Sequence, residues 1–274
     1  MTLPSHRNPS SPAGGDPRRG VLDAALVDRV TDAVLFAGLP VAFGDQGPGV
    51  RIRPAEGVDA ADRCEGLAAL DWLPSRRLAD AAAMEDPQHA AGSARQVVGV
   101  SMVNALAEFL PAFGLDVSRD RSGRELRVGG AADSGLRVPP DVLVRRPAGA
   151  TPAELGLDAE LVDAVRRSAA LAGLPVAGHL GAAGVTLGPW PTGEDGTGGD
   201  GGADIGWNPS RRLSDLADSG SPAAGLAAVA RTSVHAAMLH ALGTILGACG
   251  TELRWFHARN RLRALGESTP AIRH

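Results

Sequence analysis

The feature that most constrains this fold is an internal repeat. DWLPSRRL occupies residues 71–78 and GWNPSRRL residues 206–213, so Trp207 lies 135 residues after Trp72, with Pro74, Ser75, Arg76, Arg77 and Leu78 repeated at the same offset. LDAALVDRVTDAVLFAGLPVA at 22–42 aligns without gaps to LDAELVDAVRRSAALAGLPVA at 157–177. Further on, Arg95, Met102, Leu106, Leu110 and Gly114 match Arg231, Met238, Leu242, Leu246 and Gly250 at offset 136. One residue of slippage over roughly 90 positions is what a tandem duplication with divergent loops leaves.

The 274 residues are therefore expected to hold two copies of one unit of about 110 residues, a length at which a domain builds its own core. The expected division is a disordered polar segment over 1–20, repeat 1 over 21–128, a Pro-, Gly- and Arg-containing linker over 129–152, repeat 2 over 153–266 and a C-terminal tail over 267–274.

Each copy reads as an α+β unit. Leu26, Val30, Ala33, Val34 and Ala37 share one helical face. Asp23, or Asp158 in copy two, is placed to cap that helix, and Gly38 or Gly173 to end it in the left-handed conformation before Leu-Pro. LPVAF and VRIRP, separated by Gly-Pro-Gly, predict a hairpin, and LAALDWL a third strand. Ser75 is expected to cap a short helix. Arg95 to Phe113 is a long helix, apolar round most of its circumference and hence central, and LDVSRDRSGRELRV a closing hairpin. In copy two, TELRWFHARNRLRAL fits either the same hairpin or a strand followed by a basic helix. The Gly-rich run at 193–204, which includes Asp195, Asp200 and Asp204, lacks the spacing of a calcium repeat and reads as a loop.

Composition removes several chemistries. All 27 basic residues are Arg, and Tyr is absent, a bias of the kind a high-GC bacterial genome produces. Without Lys there is no Schiff-base lysine and no lysine-bearing phosphate loop; without Tyr no phenol can act as acid or base. A net charge of -4 argues against a nucleic-acid partner. No segment approaches the roughly 18 uninterrupted apolar residues of a membrane span, and the first twenty residues lack the apolar core of a secretory signal. The default compartment is therefore the cytoplasm, where Cys64 and Cys249 are expected as two unpaired thiols rather than as the one bond they could form.

Three features could carry chemistry. The first is the repeated corner, Trp72 with Arg76 and Arg77, and Trp207 with Arg211 and Arg212. Two cations in the first turn of a helix oppose its dipole by about 0.3–1 kcal/mol each. Either nearby carboxylates compensate them, the architectural reading and the one preferred, or the pairs grip an anionic ligand. The second is a polar stripe of Ser101, Asn104 and Glu108 on the long helix, matched in copy two by Ala237, His240 and Thr244, which is expected to be a satisfied network, a pocket wall or the seam between the copies. The third is His235 and His240, which at five residues apart point about 140° away from each other and do not share a metal. Cys249, matching Phe113, reads as a core residue, and Arg254, Arg259, Arg261 and Arg263 as a solvated basic face.

The expectation is thus a non-catalytic binding or regulatory protein, folded as an internal pseudo-dimer that is complete as a monomer. It needs no cofactor or metal and takes a small anionic ligand or a protein partner at the seam, with no nucleic acid and no membrane. The rival is an enzyme acting on a small anionic or acyl substrate, with His240 as acid or base supported by Glu108.

Overall fold

A computed structural model describes residues 22–55, 67–84, 90–130, 136, 149–179, 181–191 and 202–267. The N-terminal segment, most of the linker, Cys64, residues 193–201 of the Gly-rich run and the C-terminal tail lie outside the described residues.

The N-terminal half begins with α1 (Ala24–Phe36), whose first turn is capped by the Asp23 carboxylate accepting from the Ala25 amide at 3.0 Å. Gly38 follows at φ +80°, a conformation that costs a side chain about 1–2 kcal/mol and glycine almost nothing. The expected hairpin is not formed. β1 (Val41–Ala42) pairs in parallel with β2 (Gly49–Pro54), Val41 opposite Val50. Gly44, Gly47 and Gly49, all at positive φ, carry the chain round far enough that it returns in its original direction. A Cβ at Gly49 would stand 2.5 Å from the Pro40 carbonyl oxygen, so only glycine permits this return. Copy two repeats it as a single parallel bridge, Val176 to Val185.

β2 instead pairs antiparallel with β3 (Ala68–Leu73), from which α2 (Arg76–Met84) leads to the long α3 (Ala90–Phe109), five residues longer at its start than the sequence predicts. A 3-10 turn over Leu110–Phe113 ends at Gly114 (φ +73°), and β4 (Asp116–Arg119) and β5 (Leu126–Gly129) close the half as the expected hairpin. The sheet order is β1-β2-β3-β5-β4.

The C-terminal half repeats the order. It consists of α4 (Ala159–Ala172), β6 (Gly184–Pro189), β7 (Ala203–Asn208), α5 (Arg211–Ala217), α6 (Ala224–Ala248), β8 (Thr251–Phe256) and β9 (Arg261–Glu267). Its sheet runs β6-β7-β9-β8, the counterpart of β2-β3-β5-β4. TELRWFHARNRLRAL is thus a hairpin, and its arginines lie on strands and the turn between them. The solvated face expected of them is only partly formed: Arg254 and Arg259 are exposed, but Arg261 is half-buried and Arg263, against the Trp190 ring, is buried. The fold is α+β.

One cluster of buried side chains runs through both halves, from Leu26 and Val30 of α1 through Met102 and Leu106 of α3 to Met238 and Leu242 of α6 and Ala264 of β9. α3 packs along α6, α2 touches α4, and α5 touches α1. α3 with its terminal turn is long and apolar enough to cross a membrane by length and composition, but its Val98, Met102, Leu106 and Phe109 are spent on this core.

Candidate functional site

The repeated corner is where the halves hold each other. The Trp72 indole N–H donates to the Ala172 carbonyl at the end of α4, 2.8 Å away, and the Trp207 indole N–H donates to the Ala37 carbonyl at the end of α1, also at 2.8 Å. The Ser75 amide donates to Leu171 O (3.2 Å) and the Ser210 amide to Phe36 O (2.9 Å). Each donor finds in the other half the counterpart of the acceptor its own counterpart finds, which is the mark of an isologous interface. The last carbonyls of a helix have no intrahelical partner; here the other half supplies one, and Trp72 and Trp207 are 5% and 0% exposed. Gly38 and Gly173 sit inside this contact. A Cβ on Gly173 would meet Pro48 Cβ at 2.5 Å, and one on Gly38 the Asn208 carbonyl oxygen at 3.1 Å.

The corner hydroxyls do what the sequence predicts: Ser210 Oγ accepts from the Leu213 amide, and Ser75 Oγ from the Leu78 amide while donating to Leu171 O at 2.8 Å. The arginines are compensated within their own helices and by the clasp. Arg76 lies 3.5 Å from Asp80 and Arg211 3.7 Å from Asp215, each one turn on, and the Arg212 guanidinium stands 5.2 Å above the Phe36 ring of the other half. Arg77 is exposed beside Arg76.

The polar stripe lines a different place. A groove of about 490 Å³ follows the α3–α6 seam, walled by Ser101, Asn104, Ala105 and Glu108 on one side and Ala237, His240, Ala241 and Thr244 on the other. These are the same four positions of the two copies, each pair 136 residues apart, so this groove straddles the axis relating the halves. It extends along α3 over Val97 and Val100. The satisfied network expected of the stripe does not exist: among the described residues Ser101, Asn104, Glu108 and Thr244 make no side-chain hydrogen bond or ion pair. Glu108 and His240 are exposed, and the His240 ring meets Trp255 edge-on at 6.3 Å between centroids.

The ligand site expected from the arginine corners and the stripe together is therefore two places. No corner residue lines the groove; Trp207 and Arg211 line a second cleft with His235, whose Nδ1 lies 3.0 Å from the Trp207 carbonyl oxygen. Trp207, Asn208, Pro209 and Arg211 of this lining belong to the repeated corner motif, but the rest comes from three other segments, so the motif marks the arginine without marking the cleft.

Cys249 is a free thiol, 8% exposed, and burial pushes its pKa up to about 12. A thiol held protonated at neutral pH is a poor nucleophile. Among the described residues no three His, Cys, Asp or Glu side chains gather closely enough to hold a metal ion. Comparison of the chain with family models, with curated proteins and with solved structures returned no match.

Proposed function

We propose that this chain is a non-catalytic cytoplasmic binding or regulatory protein, a pseudo-dimer complete as a monomer, whose ligand or partner segment lies in the α3–α6 groove. The observation that carries this reading is the unused hydrogen-bonding capacity of Ser101, Asn104, Glu108 and Thr244, set round a floor of Val97, Val100, Ala105 and Ala237. A few convergent polar groups over an apolar floor are what a small-molecule pocket consists of. The lining contains a carboxylate, an imidazole and no arginine, which favours an amphipathic ligand that donates hydrogen bonds over an anion. The net charge of -4 supports neither a nucleic-acid nor a membrane partner, and a free buried cysteine suits a reducing compartment.

A thermal-shift screen of the full chain against metabolites and amphipathic peptides tests this. A ligand at a hundredfold excess over its Kd stabilises by about 2.7 kcal/mol. That shift should vanish in Asn104→Ala/His240→Ala; a ligand that stabilises this variant as well as the parent lies elsewhere. Because His240 and Glu108 share the groove, the alternative is an enzyme with His240 as acid or base. It is distinguished by turnover that His240→Ala abolishes while binding persists.

A further inference from the structure

The halves differ in polarity where α5 meets α6. There a cleft of about 660 Å³, sharing no residue with the seam groove, is lined by Asn208, Ser214, Asp218, His235 and His179. The counterparts in the first half are Leu73, Ala79, Ala83, Gly99 and Gly44, at the offsets of 135 and 136 that relate the copies. Five apolar or glycine positions of one half are thus polar in the other, and all five face one cavity. Two shared positions change their setting: Asp215 is buried where Asp80 is exposed, and Arg231, the counterpart of Arg95, joins the wall.

Arg231 is aimed by one ion pair. Its Nη1 donates to Asp218 Oδ1 at 2.9 Å, and Nε and Nη2 have no protein partner among the described residues. Arg211 stands on the same wall, 3.7 Å from the Asp215 carboxylate. His235 is fixed in a different sense. The Trp207 carbonyl can only accept, so Nδ1, 3.0 Å from it, must donate. The neutral ring then carries its lone pair on Nε2, as an acceptor. The cleft therefore offers guanidinium donors beside an imidazole acceptor and the Asp215 and Asp218 carboxylates.

Acceptors would repel an anion that has no proton, so this combination suits an oxyanion that keeps one. We propose that this cleft binds a phosphate group retaining a P–OH, as inorganic phosphate or as a small monoester. Arg231 and Arg211 take its charged oxygens, the Ser214 hydroxyl donates to a third, and the P–OH donates to His235 Nε2. Sulfate has the same shape and two negative charges at neutral pH but no proton to give, which makes it the discriminating probe.

The test is calorimetric titration of the full chain with inorganic phosphate, glycerol phosphate and sulfate. Saturable binding of inorganic phosphate is expected, with sulfate about tenfold or more weaker, the worth of a hydrogen bond to a charged group. Glycerol phosphate binding more tightly than inorganic phosphate would place the natural ligand among monoesters; the reverse order would mark the free ion. Arg231→Gln should weaken phosphate by about ten- to a hundredfold, whereas Arg95→Gln, its counterpart in the first half, should change nothing. His235→Phe should abolish the preference for phosphate over sulfate, and its exposed ring makes it the informative variant if Arg231→Gln fails to fold. No saturable phosphate binding, equal affinity for sulfate, or equal losses from Arg95→Gln and Arg231→Gln would overturn the assignment.

Discussion

On the first sheet, the outward side chains of β2 and β3 form an ion-pair network; on the second, the same face carries small residues and an aromatic cluster. Arg51 clasps Asp71 through two hydrogen bonds of 2.9 and 2.6 Å, Arg53 bridges Asp71 and Glu125, and the hydrogen bonds and charge of Asp71, outweighing burial, raise the Arg51 pKa. Burial pushes the Glu125 carboxyl up even though the Arg53 charge pulls it down. Thr186, Gly188 and Gly206 stand where the first half has Arg51, Arg53 and Asp71, and Arg261 stands where it has Glu125. Arg261 pairs with Asp204 (3.2 and 2.7 Å) and lies 4.9 Å above the Trp190 ring, with Arg263 at 5.3 Å, while Phe256 packs on Trp190 at 4.6 Å. The clasp's tryptophans, serines and glycines, by contrast, are the same in both halves, and where an acceptor residue differs, Phe36 against Leu171, only its backbone carbonyl is used. A position that must fit the other half is held by two surfaces at once; one that meets water answers only to its sheet neighbours.

Three pairs of substitutions sharpen that contrast. The largest effect belongs to the clasp: Trp207→Ala should cost about 3–5 kcal/mol in urea unfolding, and Trp72→Ala a comparable amount, since both indoles are buried and bonded alike. A loss below about 1 kcal/mol at either would show that only one corner bears on stability. Next come the glycines inside the contact. Gly38→Ala should lose about 1–2 kcal/mol from its positive φ, and Gly173→Ala more, because its Cβ would collide with Pro48 while that of Gly38 is merely tight; melting temperatures in the reverse order would refute this. The outer faces give the smallest effects and differ in kind. Asp71→Ala should lose about 1 kcal/mol at low salt and much less near 1 M. Trp190→Ala should lose a similar, about 1 kcal/mol, amount that salt hardly alters, because buried aromatic area dominates it.

The caps at Asp23 and Asp158, the left-handed Gly38 and Gly173, the closing hairpin and the long helix were all legible, because each is written within a few residues of where it acts, and the repeat was legible by comparing the chain with itself. Gly-Pro-Gly was misread. Glycines at positive φ serve a hairpin and a wider parallel return equally, and what decides is the close approach of Gly49 to Pro40, a contact with no local signature. The role of the corner was half legible. Ser75 and Ser210 announce a cap, but the indole N–H groups find their acceptors 100 and 170 residues away. The stripe is readable in the sequence as one face of α3, yet its separation from the arginines depends on how two halves dock.

That reach has a consequence for how the chain is made. During synthesis the first half is complete while the Trp72 indole and the Ala37 carbonyl still lack their partners, which lie in residues yet to be translated. Contacts of such long sequence separation form late, and until then the first half displays a surface shaped to fit the second half of any copy of this chain. Neighbouring nascent chains on one message would meet through that surface, a trailing first half with a leading second half, before the trailing chain's own second half arrives. Dilute translation should yield monomers and crowded translation exchanged dimers, in which the same four indole and amide bonds are made between chains instead of within one.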